Sequence, residues 1–135
     1  PSWSGNIWTF RNRIIATGLL EAGLREEAAH IALQTVRTFN GNYAEFVSPS
    51  TGEGHGVLRY GWSASEYIHL MAEVLFGIRY DAVTDTVTVT PCMPRELDGE
   101  TVSIGNLRVG NQYLHVTVKC GEEQEVSYRL TGKEE

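Results

Sequence analysis

The chain has 135 residues, of which 41% are hydrophobic and 21% are charged, and this is the composition of one globular domain. Its net charge of −6 and its isoelectric point near 5.2 argue against nucleic acids and anionic membranes as partners, because both bind clusters of Lys and Arg. No apolar run approaches the ~18–20 residues that cross a bilayer. We therefore expect no nucleic-acid and no membrane partner. A neutral ligand is compatible with this charge, and no cellular compartment is indicated.

Apolar spacing predicts three helices in the first part of the chain. The first is expected over residues 7–20, with a broad buried face that includes Ile14 and Ile15. The second is expected over residues 24–39, where apolar residues recur at steps of three and four. Because the connection between these two helices is short, they should form an antiparallel hairpin. A third helix is expected over residues 63–76.

Residues 40–61 separate the second and third predicted helices. This segment contains five glycines and one proline, a density of breakers that argues against a helix or a strand. It is therefore predicted to be a long loop, and long loops in compact domains are usually functional or disordered.

Beyond Gly77 the apolar period changes from that of a helix to that of a strand. Antiparallel strands are expected over residues 86–90, 101–104, 113–118 and 125–130. Gly110 and Asn111 lie between two of them and are good turn formers for a hairpin. The predicted fold class is α+β, with a helical part over residues 1–77 and a small antiparallel sheet over residues 78–135.

The sequence offers little support for a disulfide or a metal site. Cys92 and Cys120 lack CxxC spacing and lie among predicted strands, so we expect two buried thiols. His55 has no second His or Cys at ligand spacing, which argues against zinc. No metal and no cofactor are therefore expected.

Two tryptophans lie near the beginning of the chain, in the segment Trp3-Ser4-Gly5-Asn6-Ile7-Trp8. Gly5 lets the backbone come close to another surface, and aromatic faces in such a setting can stack on sugar rings. Core packing explains Trp3 and Trp8 equally well, because Trp is largely buried on average. Residue type alone does not decide between the two interpretations.

The predicted loop carries two glutamates among aromatic and glycine residues. Glu45 lies in Tyr43-Ala44-Glu45-Phe46 and Glu53 in Thr51-Gly52-Glu53-Gly54-His55-Gly56, and Arg59, Tyr60 and Trp62 follow. A site that hydrolyses carbohydrate needs such groups: a carboxylate to activate water, partners for hydroxyl groups, and rings that stack on the sugar. The competing interpretation is a solvated acidic loop, because surface carboxylates greatly outnumber catalytic ones.

The order of these motifs resembles the C-terminal part of the six-hairpin glycosidases. The resemblance is carried by Trp-x-Gly-x-Ile-Trp at residues 3–8, by Tyr43-Ala44-Glu45-Phe46-Val47-Ser48-Pro49-Ser50-Thr51-Gly52-Glu53-Gly54, and by Tyr60-Gly61-Trp62-Ser63-Ala64. These families include trehalases, processing α-glucosidase I and its bacterial relatives, and mannosylglycerate hydrolases. The resemblance implies an (α/α)6 barrel whose last helices lie within residues 1–77, a β-rich cap over residues 78–135, and hydrolysis of α-linked sugars with inversion.

The same resemblance implies roles for individual residues. Glu45 matches the general base that activates the attacking water. Glu53 and Trp62 match positions that line the sugar subsite, and Trp3 and Trp8 match its aromatic wall. Tyr60, close to Trp62 in the chain, is a further candidate substrate-binding residue. Ser4 and Asn6 stand where many relatives have Arg and Pro, so contacts made by those two residues in the relatives differ here.

An inverting site also needs a protonated acid across the scissile bond, with the two carboxyl groups roughly 6.5–9.5 Å apart. In the families named, that acid is an aspartate upstream of the Trp-x-Gly-x-Ile-Trp segment, and no residue of this chain matches it. The chain also begins with Pro1 rather than Met. We therefore expect a fragment that is inactive alone, with the N-terminal barrel helices of a parent chain as its partner.

Two other classes of function are compatible with the sequence. The first is a non-catalytic carbohydrate-binding or structural module in which Trp3, Trp8 and Trp62 hold a glycan. The second is a helical-barrel enzyme with different chemistry, such as a phosphorylase or a lyase. An upstream catalytic aspartate would favour hydrolysis over binding, and phosphate dependence would identify a phosphorylase.

Overall fold

The computed structural model describes residues 4–132, so Trp3 lies outside the described residues. The helices are α1 (Thr9–Glu21), α2 (Arg25–Phe39) and α3 (Gly61–His69); a π-helical segment (Leu70–Leu75) continues α3, and a 3-10 turn (Arg95–Leu97) follows later. The strands are β1 (Phe46–Val47), β2 (Gly54–His55), β3 (Ile78–Asp81), β4 (Thr86–Val89), β5 (Thr101–Val109), β6 (Gln112–Lys119) and β7 (Glu125–Gly132). Helices combined with antiparallel sheets confirm the α+β class. None of the described helices is long and apolar enough to cross a membrane.

Helices α1 and α2 form the expected antiparallel hairpin. Asn12, near the start of α1, donates a side-chain hydrogen bond of 2.9 Å to Thr35, near the end of α2. Glu26 in the first turn of α2 and Arg37 in its last turn complement the helix dipole.

The outer side of α1 differs from the prediction. Ile14 is 55% exposed and Ile15 is 49% exposed, whereas Ala16 is fully buried. The expected broad buried face is therefore wrong for the two isoleucines, because α2 and α3 pack on the Ala16 side. Apolar spacing identifies which residues could be buried, but it does not show whether a partner element covers them.

The strand half contains a two-stranded ribbon, β3–β4, and a three-stranded antiparallel sheet in the order β5-β6-β7. The pairing of Val109 with Gln112 places Gly110 and Asn111 in the hairpin turn, as predicted. Strand β3 was not predicted, and β1 and β2 form a short antiparallel pair inside the predicted loop. Strands β1 and β2, of two residues each, are too short for an alternation in the sequence, and β3 follows the helical segment Leu70–Leu75 almost directly.

One apolar core joins the two halves of the chain. Its buried members include Ala29 and Leu33 from α2, Leu70, Val74 and Leu75 after α3, Leu114, Val116 and Val118 from β6, and Cys92 and Cys120. Both cysteines are free and buried, as expected. Burial raises the pKa of both thiols, so they remain protonated packing groups at neutral pH.

Gly77 lies where the helical half passes into the strand half. Its φ is +60°, a left-handed conformation that L side chains rarely adopt, and a Cβ atom there would lie 1.9 Å from the carbonyl oxygen of Thr90. The N–H of Thr90 donates to the carbonyl of Gly77 at 3.0 Å. The two halves therefore approach closely at a position that only glycine can occupy.

A partly buried ion pair ties α1 to α3. Arg13 Nε lies 2.6 Å from Glu66 Oε2, and the Glu66 side chain is 9% exposed. Burial alone would raise the pKa of Glu66, but hydrogen bonds from Arg13 and Trp62 outweigh it and hold that pKa below its ordinary value of 4.5. Glu66 is therefore a carboxylate at neutral pH.

Replacing Gly77 tests the close approach of the two halves. We expect Gly77→Ala to lower the free energy of unfolding by about 2–4 kcal/mol, because backbone strain and a clash with the Thr90 carbonyl combine. Gly18→Ala is the matched control, because Gly18 lies in α1 with open space around its Cβ position. This change should raise the free energy of unfolding by about 0.5–1 kcal/mol. Urea unfolding followed by circular dichroism measures both. Equal effects of the two changes would contradict the assignment.

The ion pair predicts a pH dependence of stability. Because the folded-state pKa of Glu66 is lowered, its contribution is complete above the unfolded-state value and is lost as the pH falls through the folded-state value. We expect Glu66→Gln to cost about 1–2 kcal/mol at pH 7, and the difference from the original chain should shrink below about pH 4.5. Glu73→Gln is the control, because Glu73 is half exposed and pairs with His69. A Glu66→Gln deficit that is unchanged at pH 3.5 would contradict this role.

Candidate functional site

The short hairpin β1–β2 carries the two glutamates predicted from the sequence. Its register pairs Phe46 with His55 and Val47 with Gly54. Ile7, just before α1, exchanges two backbone hydrogen bonds with Val47, of 2.9 and 3.0 Å. The beginning of α1 is therefore fixed against the hairpin.

Glu45 lies at the open end of the hairpin and is half-buried. Its backbone N–H donates to the Val57 carbonyl at 2.8 Å, and the Val57 N–H donates to its Oε2 at 3.2 Å. Neighbouring Gly56 has a φ of +73°, and a Cβ atom there would lie 2.4 Å from Glu45 Oε2. The absent side chain at residue 56 is what leaves room for the carboxylate.

The two carboxylate oxygens of Glu45 differ in their hydrogen bonding. Within residues 4–132, Oε2 accepts from Val57, and no hydrogen bond of the described part of the chain involves Oε1. A carboxylate fixed through one oxygen and open at the other can hold a water molecule and accept its proton. Val57 and Leu58, which follow Gly56 in the chain, are exposed apolar residues.

Glu53 lies at the opposite, turn end of the same hairpin. Its carbonyl accepts from the Ser48 N–H at 2.9 Å, and its own N–H is bonded to Thr51 Oγ1 at 3.2 Å. The side chain is exposed, and among the described residues no hydrogen bond joins it to Glu45. The structure therefore does not bring the two glutamates together as a pair.

A row of aromatic rings connects the hairpin to α1 and α3. The centroid distances are 6.0 Å for His55–Phe46, 4.9 Å for Phe46–Trp8, 5.7 Å for Trp8–Phe10, 4.8 Å for Phe10–Trp62 and 6.3 Å for Trp62–Tyr60. Trp8 is 3% exposed and lies in the core, whereas Trp62 is 49% exposed. Of these two predicted substrate-binding tryptophans, Trp62 alone presents an open ring.

Glu66 is a residue of this region that the sequence analysis did not select. Its Oε1 accepts a hydrogen bond of 2.8 Å from the indole Nε1–H of Trp62, and Arg13 donates to both of its oxygens. The signal that could have identified it is the spacing Trp62-x-x-x-Glu66, which places both side chains on one face of a helix.

No cluster of three or more His, Cys, Asp or Glu side chains that could hold a metal ion occurs among residues 4–132. His55, the loop histidine, stacks on Phe46. The groups that the described site offers are therefore a fixed carboxylate, an aromatic platform and polar side chains.

Comparison with known families gives one match. Residues 1–63 match the family model described as "Mannosylglycerate hydrolase MGH1-like glycoside hydrolase domain". The match covers 63 of the 135 residues and includes every site residue predicted from the sequence. No curated protein and no solved structure matches the chain.

The match supports the glycoside hydrolase resemblance seen in the sequence. The matched segment contains α1, α2, the hairpin with both glutamates, and the start of α3 with Trp62. Residues 1–63 are thus similar to a glycoside hydrolase domain.

Proposed function

We propose that this chain is the C-terminal part of an inverting glycoside hydrolase that acts on α-linked sugars, and that Glu45 is its general base. The observation that carries the proposal is the fixed geometry of Glu45 inside the segment that matches a glycoside hydrolase domain. One oxygen is held by the Val57 N–H, and the other is free to bind the attacking water. The base takes the proton of that water as its oxygen attacks the anomeric carbon.

The substrate-binding groups in this proposal are Trp62, Tyr60 and Glu53. Trp62 offers a half-exposed indole that stacks on Phe10, and such rings bind the apolar faces of sugars. Glu53 is exposed and accepts hydrogen bonds from sugar hydroxyl groups. Trp8 supports this wall from the core rather than contacting the sugar. Trp3 keeps its predicted place in the wall as part of the proposal.

The general acid in this proposal comes from the parent chain, from barrel helices that precede residue 1. Such helices would also cover the outer side of α1 and α3, where Ile14 and Ile68 are each 55% exposed. Large exposed aliphatic side chains on adjacent helices suit a packing surface. The (α/α)6 toroid and the role of residues 78–135 as its cap belong to the same proposal.

The second candidate function is a non-catalytic carbohydrate-binding module. The observation that favours it is that Glu45 and Glu53 lie at opposite ends of one hairpin, with no hydrogen bond between them among the described residues. In that case the aromatic platform binds glycan and no bond is broken.

Substitution of the two glutamates in the parent polypeptide separates their roles. Glu45→Gln should lower kcat by roughly 100-fold or more, because the amide keeps the shape but cannot accept the proton of water. Glu53→Gln should raise KM several-fold and leave kcat nearly unchanged. The assay is hydrolysis of aryl α-glucosides and aryl α-mannosides, with the anomer of the released sugar identified by NMR.

The outcomes of that assay distinguish the candidates. A β-anomer as first product, together with the large effect at Glu45, supports the proposed role. If Glu53→Gln is the lethal change, the assignment is reversed. A parent polypeptide that binds these sugars without hydrolysing them favours the binding module.

Glycine substitutions test how the base is positioned. Gly56→Ala should lower kcat about tenfold or more, because its Cβ would collide with Glu45 Oε2 and move the carboxylate. Gly52→Ala is the matched control: Gly52 has a similar φ of +74° in the same hairpin, but nothing lies within 4 Å of its Cβ position. It should share the backbone strain and keep most of the activity. Equal losses of kcat would show that the position of Glu45 does not depend on Gly56.

A further inference from the structure

We infer that Glu66 is a positioning residue that fixes the indole of Trp62 in the orientation in which it receives a sugar ring. This inference rests on the proposed function, since it assigns Trp62 the sugar-stacking role. It adds to that proposal a second carboxylate that touches neither the substrate nor the reacting atoms. Glu66 acts through Trp62, and Arg13 holds Glu66 in place.

The carboxylate of Glu66 has a fixed position. Its side chain is 9% exposed, and Arg13 Nε lies 2.6 Å from its Oε2. Arg13 Nη2 also lies 3.4 Å from its Oε1. A buried carboxylate is tolerated only when its oxygens are paired, so leaving this arrangement would be costly. Glu66 is thus a rigid acceptor at the base of the platform.

Trp62 is bound to that acceptor although about half of its side chain is open. The distance from its Nε1 to Glu66 Oε1 is 2.8 Å, and Phe10 stacks on the indole with a centroid distance of 4.8 Å and an interplanar angle of 23°. The stack sets the plane of the indole, and the hydrogen bond sets its rotation within that plane. An exposed side chain that would otherwise sample several rotamers is confined to one.

The helices that carry the platform are also fixed to each other nearby. Thr9 Oγ1 and Ser63 Oγ form a buried hydrogen bond of 3.2 Å, which joins the first turn of α1 to the first turn of α3. Ser63 is the residue after Trp62. The backbone at Trp62 and the ring at its tip are therefore each anchored to α1, and a preorganised ring binds a ligand without first losing rotamer freedom.

Two nearly isosteric substitutions isolate the hydrogen bond to the indole. Glu66→Gln and Glu66→Met both remove the charge that pairs with Arg13. Glutamine keeps one oxygen, which can accept from the Trp62 N–H or from Arg13, and methionine keeps none, so the comparison is repeated without the indole N–H. Each of the two Glu66 variants is made in the parent polypeptide and again together with Trp62→Phe, which keeps an aromatic ring and removes the N–H. Binding of methyl α-D-glucopyranoside and methyl α-D-mannopyranoside is followed by NMR titration, and the indole N–H resonance of Trp62 is assigned by its loss in Trp62→Phe.

We expect Glu66→Met to weaken sugar binding roughly tenfold, and Glu66→Gln to weaken it no more than about threefold. In the Trp62→Phe background the two variants should bind equally, because the N–H that distinguishes them is gone. The Trp62 indole N–H should exchange with solvent faster in Glu66→Met than in Glu66→Gln. This exchange is measured without sugar and reports the hydrogen bond independently of binding.

Two outcomes would show a merely structural role of Glu66 and overturn the inference. One is an equal loss of affinity in Glu66→Gln and Glu66→Met. The other is a difference in affinity between them that stays the same when residue 62 is phenylalanine. Failure of the proposed function has a different signature. If neither sugar binds the original chain, or if Trp62→Phe leaves affinity unchanged, the sugar-stacking role is wrong and the inference falls with it, even where the exchange data show the hydrogen bond.

Discussion

The site depends on two backbone hydrogen bonds between Ile7 and Val47. They extend the hairpin β1–β2 by one bridged residue and fix it to the beginning of α1. Trp8 follows directly and packs against Phe46 from that hairpin. Because backbone pairing constrains both segments, the loop that carries Glu45 is fixed relative to the beginning of α1 as well as by its own backbone hydrogen bonds.

A second constraint, the partly buried Arg13–Glu66 pair, acts on the aromatic side of the site. A hairpin of two short strands would not hold an exposed platform by itself. The platform instead stands on α3, and Glu66 binds both Arg13 of α1 and the indole of Trp62. The carboxylate of Glu45 and the ring of Trp62 are thus both held in place relative to α1, the first through backbone pairing and the second through an ion pair.

The sequence predicted the elements with regular periodicity and missed those that depend on long-range contacts. Helix α2 and the β5–β6 turn at Gly110 and Asn111 follow from local spacing and turn chemistry, and they lie where predicted. Strands β1 and β2 escaped prediction because two residues show no period, and β3 escaped it because its four residues follow the helical segment Leu70–Leu75 almost directly. Among the candidate site residues, Glu45 and Trp62 were selected from their motifs, whereas the role proposed for Glu66 requires knowing that Arg13, 53 positions away, lies beside it.

The arrangement of the candidate base also accounts for the glycines around it. Glu45 reaches across the position of Gly56, and the Val57 N–H turns back to meet its carboxylate. A side chain at residue 56 would fill the space that the carboxylate occupies. A glycine that, from composition alone, suggests a flexible loop is therefore required here by close packing. In an inverting site the acid must stand across the sugar, far enough from the base to admit a water molecule. In the mechanism proposed above, that acid comes from a structural element other than the hairpin that holds Glu45.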